Sequence, residues 1–225
     1  MKKNITKIFP VLLLLIIITA FVSNQKKKRV IFFGDSITQQ AANPGGFIIK
    51  IDSMLKKNNN DNYELIGAGV SGNKVYDLYL RMEEDVLNKN PDVVIIYIGV
   101  NDVWHKSTSG TGTDADEFEK FYNAILKKLS DKNIKAILCT PAVIGERNDY
   151  SNQQDGDLNK YSGIVRSIAA KNNLPLIDLR KIFQEYDIKN NPENKDRGIL
   201  TRDGVHLNEK GNQIVAEEMM RMILK

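Results

Sequence analysis

The sequence predicts an α/β protein, a three-layer α/β/α sandwich with a central parallel sheet of about five strands. Three observations carry this prediction. Short apolar runs alternate with helical periodicity from residue 29 onward, a pattern typical of a parallel sheet covered by helices. Residues 92–98 (DVVIIYI) are almost continuously apolar, as in a strand buried on both faces. The 225 residues, 42% of them hydrophobic, suit one sizeable domain better than two.

The elements of the first half follow from where the apolar runs begin and stop. Residues 30–33 predict a short strand that Gly34 ends, and residues 46–57 carry a helical apolar stripe that stops in an Asn-rich turn. The chain then predicts a strand at 63–66, a helix at 74–87 and the buried strand at 92–98.

The second half continues the alternation. Its predicted helices place apolar residues three or four positions apart, and its strands are short apolar runs. In chain order these are a helix at 118–129, a strand at 135–139, a helix at 158–171, a strand at 174–177 and a terminal amphipathic helix at 208–224.

Residues 1–24 predict a signal peptide or an N-terminal anchor ahead of a domain at 29–225. Lys2, Lys3 and Lys7 flank the start of an apolar run at residues 8–22. A basic segment and roughly 15 apolar residues fit a secretory signal better than a membrane-spanning helix, which needs about 20. The cleavage site is poor, so an uncleaved anchor stays open. Either reading predicts export to a periplasmic or extracellular location, with membrane contact only through the anchor.

Charge and cysteine content narrow the classes of partner. The formal charge is +4, but it falls to about +1 without the three leader lysines, which gives no electrostatic case for binding nucleic acid. Cys139 is the single cysteine, so the chain forms no internal disulfide. Its place on a predicted buried strand indicates an inert core residue.

Chemistry-bearing groups follow the predicted strands. In parallel sheets of this kind, ligands bind beyond the carboxyl ends of the strands. Three groups lie directly after the first three strands, and a fourth precedes the last helix: residues 34–36 (GDS), 67–73 (GAGVSGN), 99–102 (GVND) and 203–206 (DGVH). We therefore expect the first three groups to meet at one edge of the sheet.

Over nearly the whole chain after the leader, the sequence resembles the SGNH hydrolases, the GDSL-type esterases and lipases. The four residues that name the family correspond to Ser36, Gly72, Asn101 and His206, in the expected order. The resemblance implies a flavodoxin-like fold and hydrolysis of carboxylic esters through an acyl-serine intermediate, with no metal and no other cofactor. It also implies an oxyanion hole formed by the backbone N–H groups of Ser36 and Gly72 and by the Asn101 amide.

The residue types agree with that chemistry. A serine hydroxyl is a poor nucleophile until a base takes its proton, and a histidine base needs a third group to fix its tautomer. Ser36 is the predicted nucleophile, His206 the base and Asp203 its partner. Asp203 and His206 are three positions apart, so on a helical turn their side chains share a face. Glycine at 72 allows a close backbone approach, and asparagine at 101 supplies a neutral donor.

The sequence leaves the roles of three other residues undecided. His105 also has a carboxylate three positions before it, Asp102, which makes it a rival base; the family pattern favours His206. Trp104 and His105 are then candidates for the substrate pocket, or ordinary loop residues. Asp35 is a further pocket candidate, although capping a helix or orienting the loop is the preferred interpretation.

Two other classes of site match parts of the sequence. The spacing G-x-G-x-x-G at residues 67–72 resembles a dinucleotide fingerprint, but the next strand does not end in the acidic residue that would hold a ribose. A metallohydrolase would have to use Asp35, Asn101, Asp203 and His206, and two histidines without a metal motif argue against it.

The predicted substrate is a small-molecule or glycan ester with a short acyl group, such as an O-acetylated carbohydrate. A lysophospholipase or acyl thioesterase is the alternative among enzymes. A catalytically silent glycan-binding protein on the same fold is the alternative of another class.

Overall fold

The computed structural model describes residues 26–225. The predicted leader at residues 1–24 lies outside this range. Among the helices that the model describes, none is long and apolar enough to cross a membrane.

Five parallel strands and eight α-helices alternate along the described chain, which confirms the predicted fold class. The strands are β1 Lys28–Gly34, β2 Tyr63–Gly69, β3 Val93–Tyr97, β4 Lys135–Cys139 and β5 Leu176–Ile177. The helices are α1 Ser36–Ala41, α2 Phe47–Lys57, α3 Val75–Asp85, α4 Val100–Thr108, α5 Ala115–Asp131, α6 Asp155–Lys171, α7 Leu179–Asn190 and α8 Glu209–Ile223. A short 3₁₀ turn, Leu87–Lys89, follows α3.

The sheet order is β2-β1-β3-β4-β5, and every neighbouring pair is parallel. Successive residues of β1 alternate between the two cores: Val30 and Phe32 join one, Ile31 and Phe33 the other. The first core includes residues of α2, α7 and α8, and the second those of α3, α5 and α6. All five residues of β3 are buried, as its continuous apolar run predicts.

The sequence prediction missed three helices. α1 is a short polar segment (SITQQA), and α4 (VNDVWHKST) has too few apolar positions for a clear stripe. α7 does carry a stripe, with Leu179, Ile182 and Phe183 against the first core, and that signal was available in the sequence.

The second strand is longer than predicted, because it continues through Gly67-Ala68-Gly69. A Cβ on Gly69 would lie 2.1 Å from the backbone nitrogen of Gln39, so only glycine lets α1 pack this closely on β2. This contact places the first residue of α1 beside the end of β2.

Candidate active site

Ser36 is the first residue of α1 and lies two residues after the end of β1, at the carboxyl edge of the sheet. The preceding Asp35 caps the helix, because its Oδ1 accepts a hydrogen bond from the backbone N–H of Ile37 at 2.9 Å. The cap holds the strand-to-helix turn that presents Ser36. Ser36 itself is 7% exposed.

Three side chains form a continuous hydrogen-bonded chain at this edge. Ser36 Oγ lies 2.9 Å from His206 Nε2, and His206 Nδ1 lies 2.7 Å from Asp203 Oδ2. A carboxylate only accepts, so Asp203 fixes the proton on Nδ1 and leaves Nε2 free to accept from the serine hydroxyl. The arrangement can therefore remove the Ser36 proton as the oxygen attacks.

Asp203 is held as a carboxylate. Partial burial opposes its ionisation, but the backbone N–H and the ring of His206, with the N–H of Val205, outweigh that burial and keep the pKa of Asp203 below its ordinary value. The Asp203 Oδ1 atom accepts these two backbone bonds, at 2.7 Å from His206 and 3.0 Å from Val205. One oxygen thus orders the loop while the other orders the imidazole.

Asp203 and His206 do not share a helical turn, which corrects the predicted local geometry. They lie in a loop before α8 that is closed by an antiparallel bridge between Thr201 and Leu207. Inside the loop, Gly204 has a φ of +94° and donates its N–H to Thr201 Oγ1 at 2.9 Å. The side chains still meet, because the loop folds back on itself.

Glu146 anchors this loop and was not singled out in the sequence. Its buried carboxylate accepts backbone N–H groups from Leu200 and Thr201 at 2.6 Å each and from Ile199 at 2.8 Å. Thr201 is one end of the bridge, and the other two residues immediately precede it. A glutamate in a loop 55 positions from its partner gives no local signal, so single-sequence reasoning had no means of finding it.

The residues predicted for an oxyanion hole lie on neighbouring loops at the same edge. Gly72 has a φ of +77°, a conformation that favours glycine, in the loop between β2 and α3. Asn101 is buried in the first turn of α4, after β3, and its Nδ2 donates to the backbone oxygen of Asn73 at 3.1 Å. The Asn101 amide therefore contacts the residue that follows Gly72.

Two acidic residues lie buried under these loops. Burial, reinforced by the negative charge of Asp102, raises the pKa of Asp35 to about 7. Burial likewise raises the pKa of Asp102 to about 6, although its Oδ1 accepts from Val75 N–H and Thr113 Oγ1. Asp35 is 2% exposed, and its carboxylate is bonded to the turn that it caps.

His105 and Trp104 occupy different surroundings. A Cβ on Gly72 would lie 3.8 Å from His105 Cε1, so the imidazole borders the loop of the predicted oxyanion hole. Partial burial and the charge of Lys74 lower the pKa of His105. In the part of the chain that the model describes, His105 makes no hydrogen bond with Asp102, so the rival pairing is not formed.

Trp104 lines a groove of about 410 Å³ beside Asp203, at the end of the hydrogen-bonded chain opposite Ser36. Its other walls are mostly polar. They are formed by Ile144, Gly145, Arg147, residues 151–154, Asp196, Asp203, Gly204 and Val205. One aromatic side chain beside several amides and charged groups is a surface that suits a carbohydrate better than an aliphatic chain.

A larger groove of about 1090 Å³ lies at the opposite, amino-terminal edge of the sheet, where Val93 and Lys135 begin their strands. It is remote from Ser36. Within residues 26–225, no group of three or more His, Cys, Asp or Glu side chains is placed to hold a metal ion.

The parallel sheet and the Ser–His–Asp chain at its carboxyl edge define the class, a serine ester hydrolase. The model of the GDSL-like Lipase/Acylhydrolase family matches residues 32–214, and the chain belongs to this family. The resemblance drawn from the four sequence blocks is thereby confirmed.

Three relatives are informative. A crystal structure of the acetyl xylan esterase AlAXEase superposes with a TM-score of 0.86 at 63% identity and covers 87% of this chain and 99% of its own. The acetylxylan esterase of Geobacillus stearothermophilus is 32% identical over 166 residues, 71% of each protein. An uncharacterized lipoprotein of Bacillus subtilis, YqeF, is 26% identical over 183 residues, 73% of this chain and 75% of that protein.

Crystal structures of catalytic mutants of Axe2, an acetylxylan esterase from Geobacillus stearothermophilus, also match this chain. In these a serine, an aspartate or a histidine is replaced by alanine. They superpose on this chain with TM-scores of 0.76–0.77 at 25–27% identity, and they cover 88% of this chain and 94% of their own.

Proposed function

We propose that Ser36, His206 and Asp203 are the catalytic triad of this ester hydrolase. The observation that carries the proposal is the unbroken chain of hydrogen bonds, at 2.9 and 2.7 Å, from the serine hydroxyl through the imidazole to the carboxylate. The serine, aspartate and histidine replaced in the catalytic mutants of the Geobacillus enzyme are the same three residue types.

The mechanism proceeds in two acyl transfers. Ser36 Oγ attacks the ester carbonyl while His206 Nε2 takes its proton, and the negative charge forms on the carbonyl oxygen. The intermediate then collapses, and His206 returns the proton to the departing alcohol. Water, deprotonated by the same nitrogen, next attacks the acyl-serine ester. The second intermediate expels Ser36 Oγ, which takes the proton back from His206, and the acid is released. Asp203 stays ionised and stabilises the imidazolium in both steps.

The charge on the carbonyl oxygen needs donors that are already in place. We assign this role to the backbone N–H groups of Ser36 and Gly72 and to one N–H of the Asn101 amide. The amide nitrogen carries two hydrogens, and the bond to Asn73 uses one of them. Losing one such donor typically costs about 3 kcal/mol of transition-state stabilisation.

We further propose that the substrate is an O-acetylated carbohydrate of the xylan type. Two relatives, at 63% and 32% identity, are described as acetylxylan esterases. The groove beside Asp203 supports this substrate, since it is lined by the aromatic ring of Trp104 together with amide side chains and Arg147. The larger groove opens at the far edge of the sheet and gives no room for a long acyl chain at Ser36.

The substrate proposal is tested with p-nitrophenyl esters from acetyl to palmitoyl, followed by acetate release from acetylated xylan. We expect the acetyl ester to be cleaved fastest and acetylated xylan to release acetate. Trp104→Ala should raise KM for the polysaccharide and leave hydrolysis of p-nitrophenyl acetate within about threefold, because only the sugar contacts the groove. A preference for palmitoyl esters without acetate release would contradict the proposal and favour a lysophospholipase or thioesterase.

We also propose that the protein is exported. The basic and apolar composition of residues 1–24 supports export, and one relative is described as a lipoprotein. Fractionation of cells that express the full chain should place it outside the cytoplasm, and N-terminal sequencing should show whether the leader is removed. Recovery of the intact chain in the cytosol would contradict the proposal.

A further inference from the structure

Arg81 lies on α3, and its guanidinium reaches the carboxyl edge of the sheet. Its Nη2 donates to the backbone oxygens of Gly34 and Ala68, at 2.7 and 3.0 Å, where β1 and β2 end. Its Nε donates to Asn73 Oδ1 at 2.6 Å, and its Nη1 donates to Asp85 Oδ2 at 2.6 Å. One side chain, 17% exposed, therefore joins two strand ends to the loop that follows β2.

These contacts reach the backbone beside each proposed oxyanion donor. Gly34 lies two residues before Ser36, and Asn73 follows Gly72 directly. The backbone oxygen of Asn73 in turn accepts the hydrogen bond from the Asn101 amide. All three donors are thus within two residues, or one hydrogen bond, of a residue that the guanidinium contacts.

We propose that Arg81 is a positioning residue that sets the oxyanion hole, an inference that rests on the function proposed above. An oxyanion hole accelerates the reaction only if its donors already point at the place where charge develops. Here the donors come from three separate segments: the start of α1, the loop after β2 and the first turn of α4. The ladder between β1 and β2 ends before Gly72. The Arg81 side chain connects the end of β1 to Asn73 beyond that point, and the bond from Asn101 extends the connection to α4.

The geometry explains why the residue is an arginine. A guanidinium presents several N–H donors in one rigid plane, so it can hold four acceptors at once. An ammonium group is a point charge on a flexible stem and lacks that planar geometry. The ring of Phe33 lies under the cation at 4.6 Å and further fixes its plane.

The expected effect is specific to the chemical step. Arg81 makes no hydrogen bond to His206, to Asp203 or to the groove lined by Trp104, so neither proton transfer nor sugar binding depends on it directly. Replacing it should lower kcat, leave KM nearly unchanged and leave the pH at half-maximal kcat/KM unchanged. A loss of general stability would not produce this combination in the protein that remains folded.

The experiment compares Arg81→Gln and Arg81→Lys with a matched control, Arg166→Gln. Arg166 makes a bidentate ion pair with Asp178 away from the site, so its removal costs a similar guanidinium contact. With p-nitrophenyl acetate, Arg81→Gln should lower kcat by ~10–100-fold with KM within about threefold, and Arg81→Lys should lose less. The control should keep the parental kcat.

A second variant covers the case in which Arg81→Gln does not fold. Asn73→Ala removes one acceptor of the guanidinium and keeps the backbone oxygen that Asn101 contacts, and it should lower kcat about threefold to tenfold at constant KM. The inference is overturned if every folded Arg81 and Asn73 variant keeps kcat within threefold, or if the loss appears in KM. If Ser36→Ala remained active, the proposed function itself would fail, which is a separate outcome.

Discussion

Ser36→Ala is expected to abolish esterase activity and to leave the melting temperature nearly unchanged. The hydroxyl forms the covalent bond to the acyl group, so its removal should lower kcat on the order of 10⁴–10⁶-fold. The Oγ atom contacts the His206 ring and packs no core, so little folding free energy depends on it. Hydrolysis of p-nitrophenyl acetate and a thermal melt measure the two effects.

The matched control is Ser53→Ala. The Ser53 hydroxyl makes one local bond to the backbone of its own helix, to Ile49 at 2.8 Å, and lies away from the carboxyl edge of the sheet. This variant should keep parental activity. Activity of Ser36→Ala within tenfold of the parent would remove Ser36 from the role of nucleophile.

His206→Ala should be about as damaging as Ser36→Ala, and the double variant should be no worse. A nucleophile and its base act as one unit, so losing either removes the same step. His105→Ala, the matched control, should keep turnover on small esters, because the ring of His105 borders the Gly72 loop and makes no bond to Ser36. The assignment fails if His105→Ala is the inactive variant and His206→Ala still turns over.

The pH dependence gives a second view of the same base. The value of kcat/KM should rise with pH, because a protonated base cannot accept the Ser36 proton. The bonds from His206 and Val205 hold the pKa of Asp203 below its ordinary value, so Asp203 adds no step to the rise. Burial raises the pKa of Asp35 to about 7, so its ionisation is a second source of such a rise. We therefore expect Asp35→Asn to keep the rise, because Asp35 is not the base. Loss of the rise in this variant would assign the rise to Asp35.

Much of this site was predictable because its signals are local in sequence. Each of Ser36, Gly72 and Asn101 lies a few residues after an apolar run, and the parallel topology brings such positions to one edge. The continuous apolar composition of β3 identified the centre of the sheet. The predicted end of β2 was too early, because the glycines there predict that the strand stops. Gly69 is needed for the close contact with α1, which no local sequence pattern shows.

The residues that support the site were not predictable, because their partners lie far away in the sequence. Glu146 accepts a hydrogen bond from Thr201, 55 positions away, and Arg81 donates one to Gly34, 47 positions away. A single charged residue in a loop or on a helix reads as a solvated surface group until the fold supplies its partners. The loop of Asp203 likewise owes its shape to such anchors rather than to a helical turn.

The most direct test of the triad is the site at which a fluorophosphonate probe labels the protein. The Ser36 oxygen should attack phosphorus and expel fluoride, with the proton passing to His206, so peptide mass spectrometry should find one adduct on the Ser36 peptide. Ser36→Ala should remain unlabelled, and His206→Ala should label far more slowly. An adduct on another residue, or an active enzyme that the probe leaves unmodified, would contradict the account.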